Sequence, residues 1–161
     1  MFHGKYVFSQ IFEFLPDYEF DKCVARYKGN FKNKGFTCRN QFLTMSFGQL
    51  TNRESLRDTV SCLLAHQSKL YHFGIKYPVN LSTLALANEQ RNWRIYADFA
   101  EVLLKKARQL YLADDFGLEI PNPVYALDAT TIDLCLSVFW WASFRRAKAA
   151  VKLHTLLDLR G

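Results

Sequence analysis

From Lys5 to Tyr111 apolar residues recur at helical spacing, and beyond Val124 they crowd together as they do in strands. Lys5–Leu15 is apolar on most sides and stops at Pro16, which cannot continue a helix. Asp17 is placed to cap a second helix, in which Phe20, Cys23, Val24 and Tyr27 follow the i, i+3, i+4, i+7 pattern. Gly29-Asn30 closes it, and Lys28–Gly35 mixes turn residues with charge, predicting an exposed basic loop. Thr37 is a cap for a third helix through Leu50, with Phe42, Met45 and Leu50 in the core. Gly48 inside that helix implies close packing or a local break.

Thr51-Asn52-Arg53-Glu54 fits a capping box, in which threonine and glutamate each satisfy an open backbone donor of the next helix. Leu56, Val60, Leu63, Leu64 and Leu70 then line one face, and Phe73–Pro78 is the connection out. Ser82 caps a helix over Thr83–Arg91. Ile95, Phe99, Val102, Leu103 and Leu110 carry it onward to about Tyr111, supported by a Glu101–Lys105 pair. Gly117 and Pro121-Asn122-Pro123 end the helical region.

Val124–Leu136 reads as a buried strand with Asp128 in its middle, and after a basic turn Ala150–Asp158 reads as a second strand. A lone hairpin is marginal in water, and its open edges invite association. The expected fold is therefore mainly α. A complete helical domain spans 1–118, and 119–161 is the opening of an incomplete α/β domain with one β-hairpin.

Half of the 161 residues are hydrophobic, with 14 Phe and 8 Tyr, which excludes a disordered chain and predicts a ring-rich core. No apolar run reaches the roughly 18 residues that span a bilayer, and Met1–Leu15 lacks the pattern of a signal peptide. A cytoplasmic protein with no membrane partner is expected. Cys23, Cys38, Cys62 and Cys135 are scattered, which argues against zinc ribbons, redox dithiols and disulfides and for small core residues. Cys62, His66 and His72 invite a zinc site, but no fourth ligand lies nearby and His66 falls near a helix end, where a histidine needs no metal.

The net charge of +6 is concentrated. Lys22 to Arg53 holds seven basic residues and no acid, and Arg145 to Arg160 holds five against Asp158 alone. Such clusters suit a polyanion, nucleic acid first, although a solvated basic face looks the same in sequence. The helices beginning near Glu54 and Ser82 are compatible with a helix-turn-helix whose second member offers Ser82, Thr83, Asn88, Gln90, Arg91 and Arg94 to bases and phosphates. The connection from Gln67 to Leu81 is long for that motif, and an ordinary helical bundle with a polar outer face fits too.

Asp128 among Leu127, Ala129 and Ile132 is costly to bury unless it is paired or bound to a metal. Strand alternation turns Asp133 the other way, so the two acids cannot share an ion, and a hydrogen-bonded structural acid is the plainer reading. Lys152 and His154 share a face of the second strand, open to phosphate or to water. Phe139-Trp140-Trp141 at the hairpin bend reads as packing, with base stacking or a DNA wedge as the alternative.

Three strings, Phe36–Leu50, Arg53–Asp58 and Ser82–Leu84 with Asn88–Arg91, resemble the N-terminal region of bacterial insertion-sequence transposases of the DDE type, in the family named after insertion sequence four. Tyr125–Ile132 and Lys148–His154 resemble the opening of that family's ribonuclease-H-like catalytic domain, so the likeness covers nearly the whole chain. The resemblance implies a helical domain that binds double-stranded DNA at transposon ends, in a nucleoid-associated protein able to form a homo-oligomer. It implies a catalytic Asp-Asp-Glu triad holding two Mg²⁺ ions for phosphodiester cleavage and strand transfer. Asp128 matches the first, metal-binding acid, whereas Asp133 and Asp158 lie too early to be the others. The expectation is a transposase shortened at its C-terminus, binding no Mg²⁺ itself, or a non-catalytic DNA-binding competitor of the full-length enzyme. Its expected DNA contacts are Arg53, Arg57, Ser82, Thr83, Asn88, Gln90, Arg91, Arg94, Arg145, Arg146, Lys148 and Lys152.

Overall fold

The computed structural model describes residues 6–33, 35–111, 124–134, 143–145 and 148–158. The expected exit at Gly117–Pro123, the domain boundary at 118/119, Cys135, Phe139–Trp141 and Arg146 lie outside them. The chain is mainly helical with a small antiparallel sheet, and it divides into two compact units, Met1–Leu104 and Lys105–Gly161.

The first unit is built from α1 (Val7–Phe12), α2 (Asp17–Arg26), α3 (Cys38–Leu50), α4 (Leu56–Ala65), a 3-10 helix at Gln67–Phe73, α5 (Leu81–Gln90) and the start of α6 (Arg94–Tyr111). α3 lies between two cores. On one side Leu43 and Phe47 pack with Val60, Leu63, Leu70, Phe73, Ile75, Val79 and Leu84. On the other, Cys38 packs with Phe20, Cys23, Val24, Ile95 and Phe99. Phe12 and Phe42, 6.0 Å apart and edge to face, link the two. A helix buried on two sides has no single apolar stripe. Met45 and Leu50, expected in the core, are exposed, while Gln41 and Thr44 are buried.

Several ends differ from the sequence reading because the nearest hydroxyl is not the one used. Thr37 caps α3 as expected, accepting from the Asn40 amide at 3.2 Å. Thr51 does not open α4; it follows α3, and its hydroxyl donates to the Phe47 carbonyl. Ser55 caps α4 instead, accepting from the Asp58 amide at 3.1 Å. Pro16 precedes α2 with no side-chain cap, and Asp17 pairs with Arg39. Asn80, rather than Ser82, caps α5, accepting from the Ser82 amide at 2.9 Å. The helix expected to run unbroken to Tyr111 stops at Gln90; Arg91 is extended, and Asn92 caps the new turn by accepting from the Arg94 amide. Leu64 and Leu110 fall on exposed faces, and Leu70 reaches the core from the 3-10 helix.

Two glycines mark close approaches. A Cβ on Gly48 would stand 2.7 Å from the Thr59 hydroxyl, so α3 and α4 touch there without a break in the helix. After α2 the left-handed residue is Lys28, while Gly29 passes so near the core that a Cβ would meet Ile95 at 2.5 Å and Cys38 at 2.7 Å. Both neighbours are fully buried and have no room to yield. Gly29→Ala is expected to cost about 1–3 kcal/mol as an overpacked core does. Urea denaturation checks this, and a change under about 0.5 kcal/mol would contradict the close approach.

In the second unit β1 (Tyr125–Leu134), β2 (Ser143–Arg145) and β3 (Lys148–Asp158) form an antiparallel sheet in the order β1-β3-β2. The basic turn thus contains a short strand that the sequence did not announce. Asp128 pairs with Thr155, Thr130 with Leu153 and Ile132 with Val151 on one face. Leu127 with Leu156, Ala129 with His154 and Thr131 with Lys152 share the other. The expected buried strand is not buried: Tyr125 to Ile132 are all exposed, Leu127 at 71 %.

Candidate nucleic-acid interface

The basic loop and α5 meet in a groove of about 600 Å³ lined by Phe31, Lys32, Asn33, Thr83, Gln90 and Arg91, among others. Helical spacing explains the α5 side, because Thr83 and Gln90 are seven residues apart and lie on one face. On the loop side Phe31 is exposed, with the Lys32 ammonium 5.5 Å from its ring centroid. Left-handed backbone at Lys28 and Lys32 shapes this turn, and the Asn30 side chain ties it down by accepting from the Cys38 amide at 2.8 Å.

Arg91 holds loop and helix together. Its guanidinium donates to the carbonyls of Phe36 and Thr37 and to Gln41 Oε1 at 2.8 Å, and lies over the Phe36 ring. Gln41, only 4 % exposed, is hydrogen-bonded at both the oxygen and the nitrogen of its amide. Its oxygen also accepts from Tyr96 at 2.7 Å, and its amide nitrogen donates to Asn88 Oδ1. Burial, with Cys38 second, pushes the Tyr96 hydroxyl pKa up, so it remains a donor to Gln41. Burial likewise raises the Cys23 and Cys38 thiols, as befits inert core cysteines.

The residues expected to read DNA therefore separate. Thr83, Gln90 and Arg91 line the groove with Lys32. Asn88 faces the opposite side of α5, toward Met45, and Ser82 donates to Asn80 in the first turn. Arg53 is held locally, donating to the Thr51 carbonyl at 2.7 and 2.9 Å, with Asp58 at 3.6 Å. Arg57 is exposed on α4, and Arg94 lies over Trp93. Lys152 is exposed on β3 opposite Thr131, on the face away from Asp128; Arg145 and Lys148 are register partners joining β2 to β3. Phe31, Lys32 and Asn33 were legible only as a charged loop, and the missed signal is an aromatic beside a lysine at its tip.

Asp128 is exposed and accepts a hydrogen bond from the Thr130 hydroxyl at 3.0 Å. Magnesium needs oxygen ligands from several elements. Asp128's cross-strand neighbour is Thr155, and among the described residues no three His, Cys, Asp or Glu side chains converge. A two-ion centre would need further oxygen ligands beside Asp128. Cys62, His66 and His72 likewise do not converge; His66 Nδ1 is 2.9 Å from the Cys62 carbonyl instead. No described helix is long and apolar enough to cross a membrane.

The fold and groove define a helical domain with a basic loop against one face of α5. Residues 3–76 match the family described as Domain of unknown function (DUF4372), which takes in α1 through the 3-10 helix and the basic loop but stops short of α5. No curated protein and no solved structure matches the chain.

Proposed function

We propose that this chain is a DNA-binding protein of transposase descent that holds duplex DNA at the basic loop and the facing side of α5. The observation that carries the reading is the groove that sets Lys32 and Phe31 opposite Thr83 and Gln90. Lysine neutralises phosphate and fixes position, whereas glutamine can pair with an adenine edge. The +6 charge and the match at 3–76 to a domain found in transposase-like proteins support it. So does the resemblance of the three helical strings to insertion-sequence transposases. Arg91 enters as the scaffold of this surface, since it donates three hydrogen bonds to the Phe36–Gln41 segment. Asp128 as the first acid of a magnesium-dependent triad, transposon ends as the DNA, and a place at the nucleoid belong to the same proposal.

The test is fluorescence anisotropy of a blunt duplex carrying element-end sequence, titrated with salt. Affinity should fall steeply with salt, because bound lysines release counterions from the duplex. Lys32→Ala should lower the log–log salt slope by about 1, and Gln90→Ala should weaken the preference for element ends with little change in slope. Absence of binding, or binding indifferent to salt, would leave a helical protein-interaction domain as the better reading.

A further inference from the structure

On the far side of α5 from the groove, a cavity of about 460 Å³ opens between α3 and the turn joining α5 to α6. Phe42, Met45 and Tyr96 give it an apolar wall, Gln49 and Asn88 bring primary amides, and Trp93 stands at its side. Trp93 is 66 % exposed, so one side of its ring is open to a ligand. The Arg94 guanidinium lies 5.2 Å from its ring centroid.

Arg26 pairs with Asp98, Arg39 with Asp17 and Arg53 with Asp58. Arg91, which lines the cavity, bonds only neutral acceptors, and among the described residues neither it nor Arg94 forms an ion pair. The Arg94 guanidinium over the Trp93 ring, beside the aromatic wall, complements a ligand that is planar at one end and anionic at the other. The amides suit the hydrogen-bonding edge of a base.

We infer that this cavity takes one unpaired nucleotide of a DNA strand, its base against Trp93 and its phosphate toward Arg94. The inference rests on the DNA-binding reading and deepens it: the basic loop and α5 hold the duplex, and the cavity takes a nucleotide that has left it. Stacking tolerates every base, so the site would sense strand opening rather than sequence.

The experiment compares the full chain's affinity for a blunt duplex and for the same duplex with a short single-stranded tail. The tail should tighten binding roughly tenfold, as one stacked base does, and quench tryptophan fluorescence. Trp93→Ala should abolish the tail's advantage and the quenching while leaving blunt-duplex affinity unchanged, and Trp93→Phe should retain most of the advantage. Circular dichroism confirms that each variant is folded. A tail preference that survives Trp93→Ala, equal affinity for the two duplexes, or free deoxyadenosine monophosphate competing as tightly as the tail would each overturn the inference. Salt-sensitive binding to blunt duplex without a tail preference would sink the cavity alone; failure to bind any DNA would sink the DNA-binding reading with it.

Discussion

Phe99→Ala is expected to remove about 3–5 kcal/mol of stability, the range for truncating a buried phenylalanine. Phe99 is 1 % exposed and meets Phe20 at 4.9 Å and Phe42 at 5.6 Å, both edge to face. Its ring closes the core between α2, α3 and α6, so the loss combines transfer of the ring, a cavity, and two aromatic contacts. A small domain has about 5–15 kcal/mol in total, so this variant should approach its unfolding threshold. Urea denaturation measures it, with exposed Leu104→Ala as the control that should stay within about 0.5 kcal/mol. A Phe99→Ala loss no larger than the control's would mean that the ring does not close this core.

Arg91→Ala is expected to cost about 2–3 kcal/mol, because hydrogen bonds to a charged group are worth more than neutral ones and their acceptors would lose their partner. The carbonyls of Phe36 and Thr37 and the oxygen of buried Gln41 all depend on this fork. Arg91→Lys should recover little, since one ammonium cannot reproduce a planar array of donors. The basic loop should also loosen from α5, seen as faster amide hydrogen exchange from Phe31 to Thr37, and DNA affinity should fall with it. Unchanged stability with selectively weakened DNA binding would instead make Arg91 a direct DNA contact.

The helical unit was largely legible where the deciding interactions are local. Phe20, Cys23 and Val24 are buried as their spacing predicts, and Thr37 caps the helix assigned to it. The alternation placing Asp128, Thr130 and Ile132 on one face also holds. Period is a property of neighbouring residues, so a sequence displays it directly. Met45 and Leu50 misled because α3 buries two sides, which one apolar stripe cannot describe. Asp128 misled in the opposite sense. Apolar neighbours suggested a buried carboxylate, but burial depends on what covers the strand, and Asp128 is exposed.

Of the candidate interface, the sequence supplied the residue types but not their company. Thr83, Asn88, Gln90 and Arg91 read as members of one recognition helix, yet Asn88 turns to Met45 and Arg91 to the Phe36–Gln41 segment. The sequence by itself determined the helical periodicity, the Thr37 cap, the basic loop and the strand alternation, because each is settled within a few residues of chain. Only the tertiary structure decided which face of α5 meets the loop, that Arg91 is a clamp, and that a cavity opens behind it. Those outcomes rest on hydrogen bonds between groups as much as 55 residues apart, such as Arg91 to the Phe36 carbonyl, and no local pattern encodes which distant carbonyl a guanidinium will meet.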